Sequence, residues 1–309
     1  MFGPVPSRRL GRSLGVNNLP HKICSYNCIY CQAGRTVELT IDRRVFYDPY
    51  RLVGIVNTRV SQLLGSGEHI DYITFVPNGE PTLDKNIGVE ARLLKNHGIP
   101  LAILTNGSLL HREDVRTDLT AFNYVSIKVD AVSERIWRIV NRPHPSLKID
   151  RVLEGILEFR RVYRGKLVTE TMLLGNIDYS RELERIADYL HQLKPDIAYI
   201  AAPTRPPAEE WVKPPSEELL NHAYQLFSEK IEHVELLTGF EGTHFTVLDD
   251  VSREILSITS VHPLREDILE DILARKGCTW DVVEDLVRKG LLARIHYAGY
   301  NYYIRKISK

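Results

Sequence analysis

The stretch His21-Lys22-Ile23-Cys24-Ser25-Tyr26-Asn27-Cys28-Ile29-Tyr30-Cys31 holds three of the four cysteines in a chain of 309 residues. Their spacing, C-x3-C-x2-C, lets one short loop turn three thiolates toward a common point. Soft thiolate ligands suit an iron–sulfur cluster or a zinc ion. The two differ in what completes the site, because structural zinc takes four protein ligands whereas a catalytic metal keeps one position open. Cys278 lies far down the chain, so the fourth position is open unless His21 closes a zinc site.

Outward from this loop, the flanks are basic. No Asp or Glu precedes Glu38, while Arg8, Arg9, Arg12, Lys22 and Arg35 do. Such a segment would help hold an anionic cluster or substrate, or it is simply a solvated arm. Over the whole chain 40 basic residues balance 40 acidic ones, so bulk charge announces neither a nucleic-acid-binding protein nor an acidic tail. A hydrophobic content of 43% is that of a globular protein with a sizeable core. No apolar run approaches the roughly 18 residues that cross a membrane, and Met1 to Ser13 lacks the apolar centre of a signal peptide. Clustered rather than scattered cysteines argue against a disulfide scaffold. The expectation is a reduced, cytoplasmic protein.

Downstream, apolar periodicity alternates between helix and strand. Tyr50 to Leu64 reads as a helix, His69 to Val76 as a strand, Ile87 to His97 as a helix and Pro100 to Leu104 as a strand. The cycle continues with strand Tyr124 to Val129, helix Leu147 to Tyr163, strand Leu167 to Leu174, helix Arg181 to Leu193 and strand Ile197 to Ala202. Alternation of this kind means βαβ units and a parallel sheet, hence an α/β fold. Helix Glu217 to Ile231 and a strand Val234 to Leu237 close the unit near Gly239. On the fourth strand, period two sets Ser126, Lys128 and Asp130 on one face and Val125, Ile127 and Val129 on the other. The valine face belongs against helices, so the polar face points inward, where charges need partners or a ligand.

The cysteine loop resembles the signature of the radical S-adenosylmethionine (SAM) superfamily, C-x3-C-x-aromatic-C, with Tyr30 as the aromatic residue. The resemblance implies a partial (β/α)6 barrel and a [4Fe–4S] cluster on Cys24, Cys28 and Cys31. The fourth iron of such a cluster chelates SAM, whose reductive cleavage yields a 5′-deoxyadenosyl radical that abstracts hydrogen from a substrate. It also implies a one-electron donor such as ferredoxin or flavodoxin. Asn78-Gly79-Glu80-Pro81 resembles the family's GGE motif, with Asn78 in place of the first glycine, and Thr105-Asn106-Gly107 is a polar turn that lies near SAM in relatives. In such a lumen Lys128 would meet the SAM carboxylate and Asp130 a ribose hydroxyl or the amino group; a Lys128–Asp130 ion pair is the structural alternative. Glu170 is a further lumen candidate, although alternation does not settle its face. The proline-rich run Pro203 to Pro215 reads as a lid or a linker.

The opening Phe2-Gly3-Pro4-Val5-Pro6-Ser7-Arg8-Arg9-Leu10-Gly11 and the cysteine context resemble Fe–S oxidoreductases related to the tRNA wyosine base synthase. No cysteine precedes Cys24, so the second cluster of that synthase has no ligands here. The kinship makes tRNA one expected substrate, with a protein or small metabolite beside it. The chain divides into residues 1–245, the barrel with its basic arm, and 246–309. In the tail, helices Arg265 to Lys276 and Trp280 to Leu291 and a hairpin Arg294 to Ile304 resemble a winged helix. Its second helix should bury Trp280, Val283, Leu286 and Val287 and expose Asp281, Glu284 and Asp285, whose carboxylates repel phosphates. The hairpin tyrosines are expected to be exposed for stacking. Glu241 and His244 are candidate substrate-side groups, and Cys278 a small core residue. An iron–sulfur regulator with a winged-helix reader is the competing function.

Overall fold

The computed structural model describes residues 1–20, 22–238, 245–247 and 250–306. His21, Gly239, Glu241 and His244 lie outside the described residues. The chain opens with a hairpin, β1 (Phe2–Ser7) and β2 (Gly11–Val16). A two-residue strand β3 (Ile23–Cys24) carries the first cysteine and pairs with β4 (Glu38–Leu39). Helix and strand then alternate through α1 (Pro49–Gly65), β5 (Tyr72–Phe75), α2 (Ile87–Leu94), β6 (Leu101–Thr105), α3 (Glu113–Leu119), β7 (Tyr124–Lys128), α4 (Glu134–Val140) and α5 (Ile149–Val162). They continue with β8 (Lys166–Met172), α6 (Glu182–Leu193), β9 (Ile197–Ala201), α7 (Glu217–Ser228) and β10 (Val234–Leu237). The main sheet has the order β1-β2-β5-β6-β7-β8-β9-β10. Every pairing from β2 to β10 is parallel, and the sheet curls into the half barrel that the βα alternation predicts.

Local chemistry explains these elements. Asp48 caps α1 by accepting from Arg51 N at 2.8 Å, with Pro49 at the first helical position. Val56, Val60 and Leu63 then recur at helical spacing and are fully buried. On β7, Val125 and Ile127 join the core between sheet and helices, whereas Tyr124 turns to a second cluster inside the half barrel. Full burial of each such side chain contributes about 1.5–3 kcal/mol.

The N-terminal segment departs from expectation: it is no free arm but the first two strands. Pro4 and Pro6 hid it, since proline cannot donate to a ladder; β1 accommodates them because it is an edge strand, paired only with β2. The Phe2 ring lies on Gly15, where an added Cβ would come within 2.2 Å of it. At the turn, Arg8 donates to the carbonyl of Leu237 on β10, the opposite edge of the sheet. Leu10 packs with Tyr124, Tyr199 and Leu237. The hairpin turn therefore bridges the two edges and closes one end of the lumen.

After β10 come α8 (Val251–Thr259), β11 (Leu264–Arg265), α9 (Glu266–Lys276), α10 (Asp281–Arg288), β12 (Leu292–Tyr297) and β13 (Tyr300–Arg305), the strands ordered β11-β13-β12. Ile255, Ile258, Leu269 and Leu286 form their core, and Phe2 and Val5 of β1 pack into it. Buried Arg59 of α1 pairs with Glu254 of α8 at 2.6 Å. The hairpin tyrosines are not the exposed platform expected. Tyr302 and Tyr303 are buried and only Tyr300 is half exposed, because β13 is the central strand of its sheet. Val287 is exposed rather than buried, being beyond the face that seats Val283 and Leu286.

Candidate active site

The cysteine loop is held from outside by backbone. Asn27 N and Ile29 N donate to Asn141 O and Val140 O at 3.0 Å, and Cys31 N donates to Cys28 O at 3.2 Å. This turns all three thiols onto one cavity of about 310 Å³ inside the half barrel. Each sulfur meets a donor. Lys22 Nζ lies 2.7 Å from Cys31, Asn141 Nδ2 3.5 Å from Cys28 and Asn106 Nδ2 3.6 Å from Cys24. Burial pushes the Cys24 thiol up to about 11 and Cys28 higher still. At Cys31 burial acts the same way, but the buried Lys22 ammonium outweighs it and the thiol falls below its ordinary value.

Among the described residues no three Cys, His, Asp or Glu side chains converge closely enough to grip a single metal ion. The thiols instead line a shared wall. Three soft donors facing one cavity, with neighbours that donate to sulfur, fit an iron–sulfur cluster, which is wider than an ion and can leave one iron without a protein ligand.

Beside the thiols stands the end of β5. Gly79 has φ 158° and pairs with Ile23; an added Cβ would lie 1.8 Å from the Ile23 carbonyl oxygen. Only glycine lets this strand end dock on the cysteine strand, where Glu80 N donates to Ile23 O at 3.1 Å. The buried Glu80 carboxylate accepts from Thr82 N, Thr82 Oγ1, Thr105 Oγ1 and Asn106 N at 2.5–3.1 Å. Burial raises its pKa against these four donors. Glu80 thus knits the ends of β5 and β6 at the cavity wall. Buried Arg43 pins the same loop from behind, donating to Thr82 O and Asp84 O and pairing with Asp118 at 2.7 Å.

Of the sequence-predicted residues, Tyr30, Gly79, Glu80, Thr105, Asn106, Ser126 and Lys128 line the cavity with the three cysteines. Two stand behind it. Asn78 is buried, with its amide oxygen lacking a hydrogen-bond partner. Asp130 is buried and accepts from the Tyr30 hydroxyl, from Asn141 Nδ2 at 2.7 Å and from Met172 N at 2.9 Å. It therefore positions the aromatic residue of the cysteine loop and the amide that touches Cys28. The Lys128–Asp130 pair does not form. Lys128 pairs with Glu170, its register partner on β8, and its Nζ sits 5.0 Å from the centre of the Tyr30 ring.

The candidate whose face alternation left open is settled, and further lining residues escaped the sequence. Glu170 does face the lumen, and it also pairs with Arg9 from the hairpin turn. A further part of the lining comes from distant segments. Arg205 Nη1 donates to Gln32 Oε1 at 2.7 Å and Nη2 to His262 Nε2 at 3.0 Å, while Gln32 Nε2 donates to Val261 O at 3.2 Å. The tail tyrosines hold the proline-rich run against this wall, Tyr302 donating to Thr204 O at 2.9 Å and Tyr297 to Pro203 O at 3.2 Å. No local pattern marks Arg205 or His262, since their neighbours are far away in sequence.

Residues 18–190, the segment that carries the cysteines, Glu80 and Lys128, match the model of the radical SAM superfamily. The chain belongs to the radical SAM superfamily. It is 46% identical over 309 residues to a UPF0026 protein of Methanocaldococcus jannaschii, covering 99% of this chain and 96% of that one. Its fold is similar to SuiB of Streptococcus suis, solved bound to S-adenosylmethionine, with a TM-score of 0.54 and 15% identity over 74% of this chain and 50% of that one. A radical SAM methyltransferase from Sphaerobacter thermophilus is similar at a TM-score of 0.52 and 16% identity, over 72% of this chain and 66% of that one. At these identities the likeness is one of fold. Arg9, Arg205 and His262 lie outside the matched segment. No helix among the described residues is long and apolar enough to cross a membrane.

Proposed function

We propose that this radical SAM protein holds a [4Fe–4S] cluster on Cys24, Cys28 and Cys31, cleaves SAM reductively and abstracts hydrogen from a substrate in the half-barrel cavity. The observation that carries this reading is that the three thiols share one cavity with Glu80, Asn106 and Lys128. When bound, the cluster and SAM supply a one-electron reduction and a carbon radical. The chain's own residues do the rest. Glu80, Thr105 and Asn106 would hold the amino-acid end of SAM, and Lys128 would supply a positive charge for its carboxylate. Asp130 holds Tyr30 and Asn141 in place beside the thiols. The hairpin turn, Arg205 and the tail shield the cavity from water, which radical chemistry requires. A ferredoxin or flavodoxin is a suitable one-electron donor.

The tail, read from sequence as a winged helix, serves in this proposal as a wall of the active site. Its tyrosine hydroxyls are bonded to the barrel's proline-rich run rather than presented to solvent. The test is anaerobic reconstitution with iron and sulfide, followed by SAM and dithionite and an assay for 5′-deoxyadenosine. The native protein should form it and Cys28→Ala should not. A colourless native protein that holds one tightly bound zinc and cleaves no SAM would overturn the proposal.

A further inference from the structure

A second concavity, of about 390 Å³, opens between the segment after β7 and the segment after β8. Arg135, Arg181 and Arg185 line it together with Ser133 and Ser180. The elements that lead into it also carry the lumen residues Lys128, Glu170 and Met172 near their C-terminal ends. In barrel folds that end of the strands is the functional face.

The charges around it are unbalanced. Its two carboxylates are Asp178 and Glu182. Glu182 is buried and occupied: it accepts from Val132 N, Ser133 N and Ser133 Oγ at 2.5–2.8 Å. Asp178 accepts from Ser180 N at 3.0 Å and pairs with Arg135 at 3.9 Å. Among the described residues Arg181 and Arg185 have neither an ion pair nor a side-chain hydrogen bond. Both are exposed and are one helical turn apart at the start of α6. Most arginines of this chain are paired, and its formal net charge is zero. Two guanidinium groups without partners, beside that of Arg135 in one concavity, form a donor set suited to phosphate oxygens.

We propose that this pocket is a phosphate site, taking a phosphate group of the substrate whose reacting part enters the lumen. The inference rests on the proposed function in naming that ligand as substrate. The phosphate belongs either to an RNA backbone or to a free nucleotide, and the experiment separates them. Reconstituted full-length protein is tested for binding of unfractionated tRNA and, separately, of GMP. The comparison set is native protein, R181E/R185E, and R51E, which reverses an exposed charge on α1. The double variant should bind the responding probe at least about tenfold more weakly, while R51E binds as native does. It should also keep native levels of substrate-free 5′-deoxyadenosine formation. Binding of tRNA alone assigns the site to an RNA backbone; binding of GMP as well assigns it to a free phosphate. Failure of native protein to bind either probe, or equal loss in R51E, would overturn the site. Absence of 5′-deoxyadenosine from native protein would instead overturn the proposed function, and the binding result would still be read.

Discussion

The cavity has two kinds of wall. On the cluster side the residues come from one continuous segment, and each polar group meets donors from its own or neighbouring strand ends, as Glu80 does with Thr82, Thr105 and Asn106. In the other the contacts join segments that are far apart: Arg205 with Gln32 and His262, Arg9 with Glu170, Tyr302 with Thr204. The first wall is the part that matches the superfamily model, and much of the second lies outside it. The contrast teaches where constraint and freedom sit. The wall within the matched segment is encoded by patterns a few residues long, whereas the other is assembled by tertiary contacts between distant segments.

The sharpest way to break this comparison is on the cluster wall. Cys28→Ala should lose bound iron and all 5′-deoxyadenosine formation, since a cluster with two remaining thiolates is not retained; iron and product assays decide it. Next is Gly79→Ala. Its Cβ would collide with the Ile23 carbonyl, so destabilisation of about 3 kcal/mol or more is expected, measured by urea unfolding, together with weakened SAM binding. A near-native unfolding midpoint would show that the docking of β5 on the cysteine strand is dispensable.

A pH test within the same segment comes third. Glu90 of α2 is fully buried, neither oxygen has a partner, and burial raises its pKa from 4.5 to about 8. The folded state therefore favours the neutral acid, so Glu90's contribution is intact below about pH 4.5 and is lost as pH rises through about 8. Glu90→Gln should accordingly unfold like native protein near the acid end and be more stable by about 2 kcal/mol above pH 8. Equal denaturation profiles at both ends would remove Glu90 from the account.

Asp130→Asn is next in size. It keeps the shape but replaces an acceptor-only group bonded to Tyr30, Asn141 and Met172. The expected cost is about 2 kcal/mol, with lower iron retention than native protein; retention equal to native would reduce Asp130 to a packing role. The smallest effect belongs to the other wall. Tyr302→Phe removes one hydrogen bond to Thr204 O, worth about 1 kcal/mol. Faster proteolysis within 203–215, with cluster content unchanged, would sharpen the contrast; loss of iron would blur it.

How much was legible varies along the same divide. The cysteine spacing, N-G-E-P, T-N-G and the alternation of β7 are short-range patterns, and they located ten lining residues. The alternation could place Lys128 inward but could not choose its partner, because Asp130 is near in sequence while Glu170 is nearer in space. Glu170 itself was ambiguous because threonines flank it on both sides. The N-terminal strands were missed because two prolines mimic a non-strand, and their acceptability depends on an edge position that only the assembled sheet defines.

By itself the sequence determined the superfamily, the alternating βα framework and the thiol triad. Each follows from spacing within a few residues, where covalent geometry limits what the chain can do. Only the tertiary structure decided that the N-terminal turn bridges the two sheet edges, that the tail forms a cavity wall with its tyrosines turned inward, and that Asp130 supports rather than lines the site. Those outcomes depend on packing and pairing between segments 94 to 229 residues apart, and no local pattern records them.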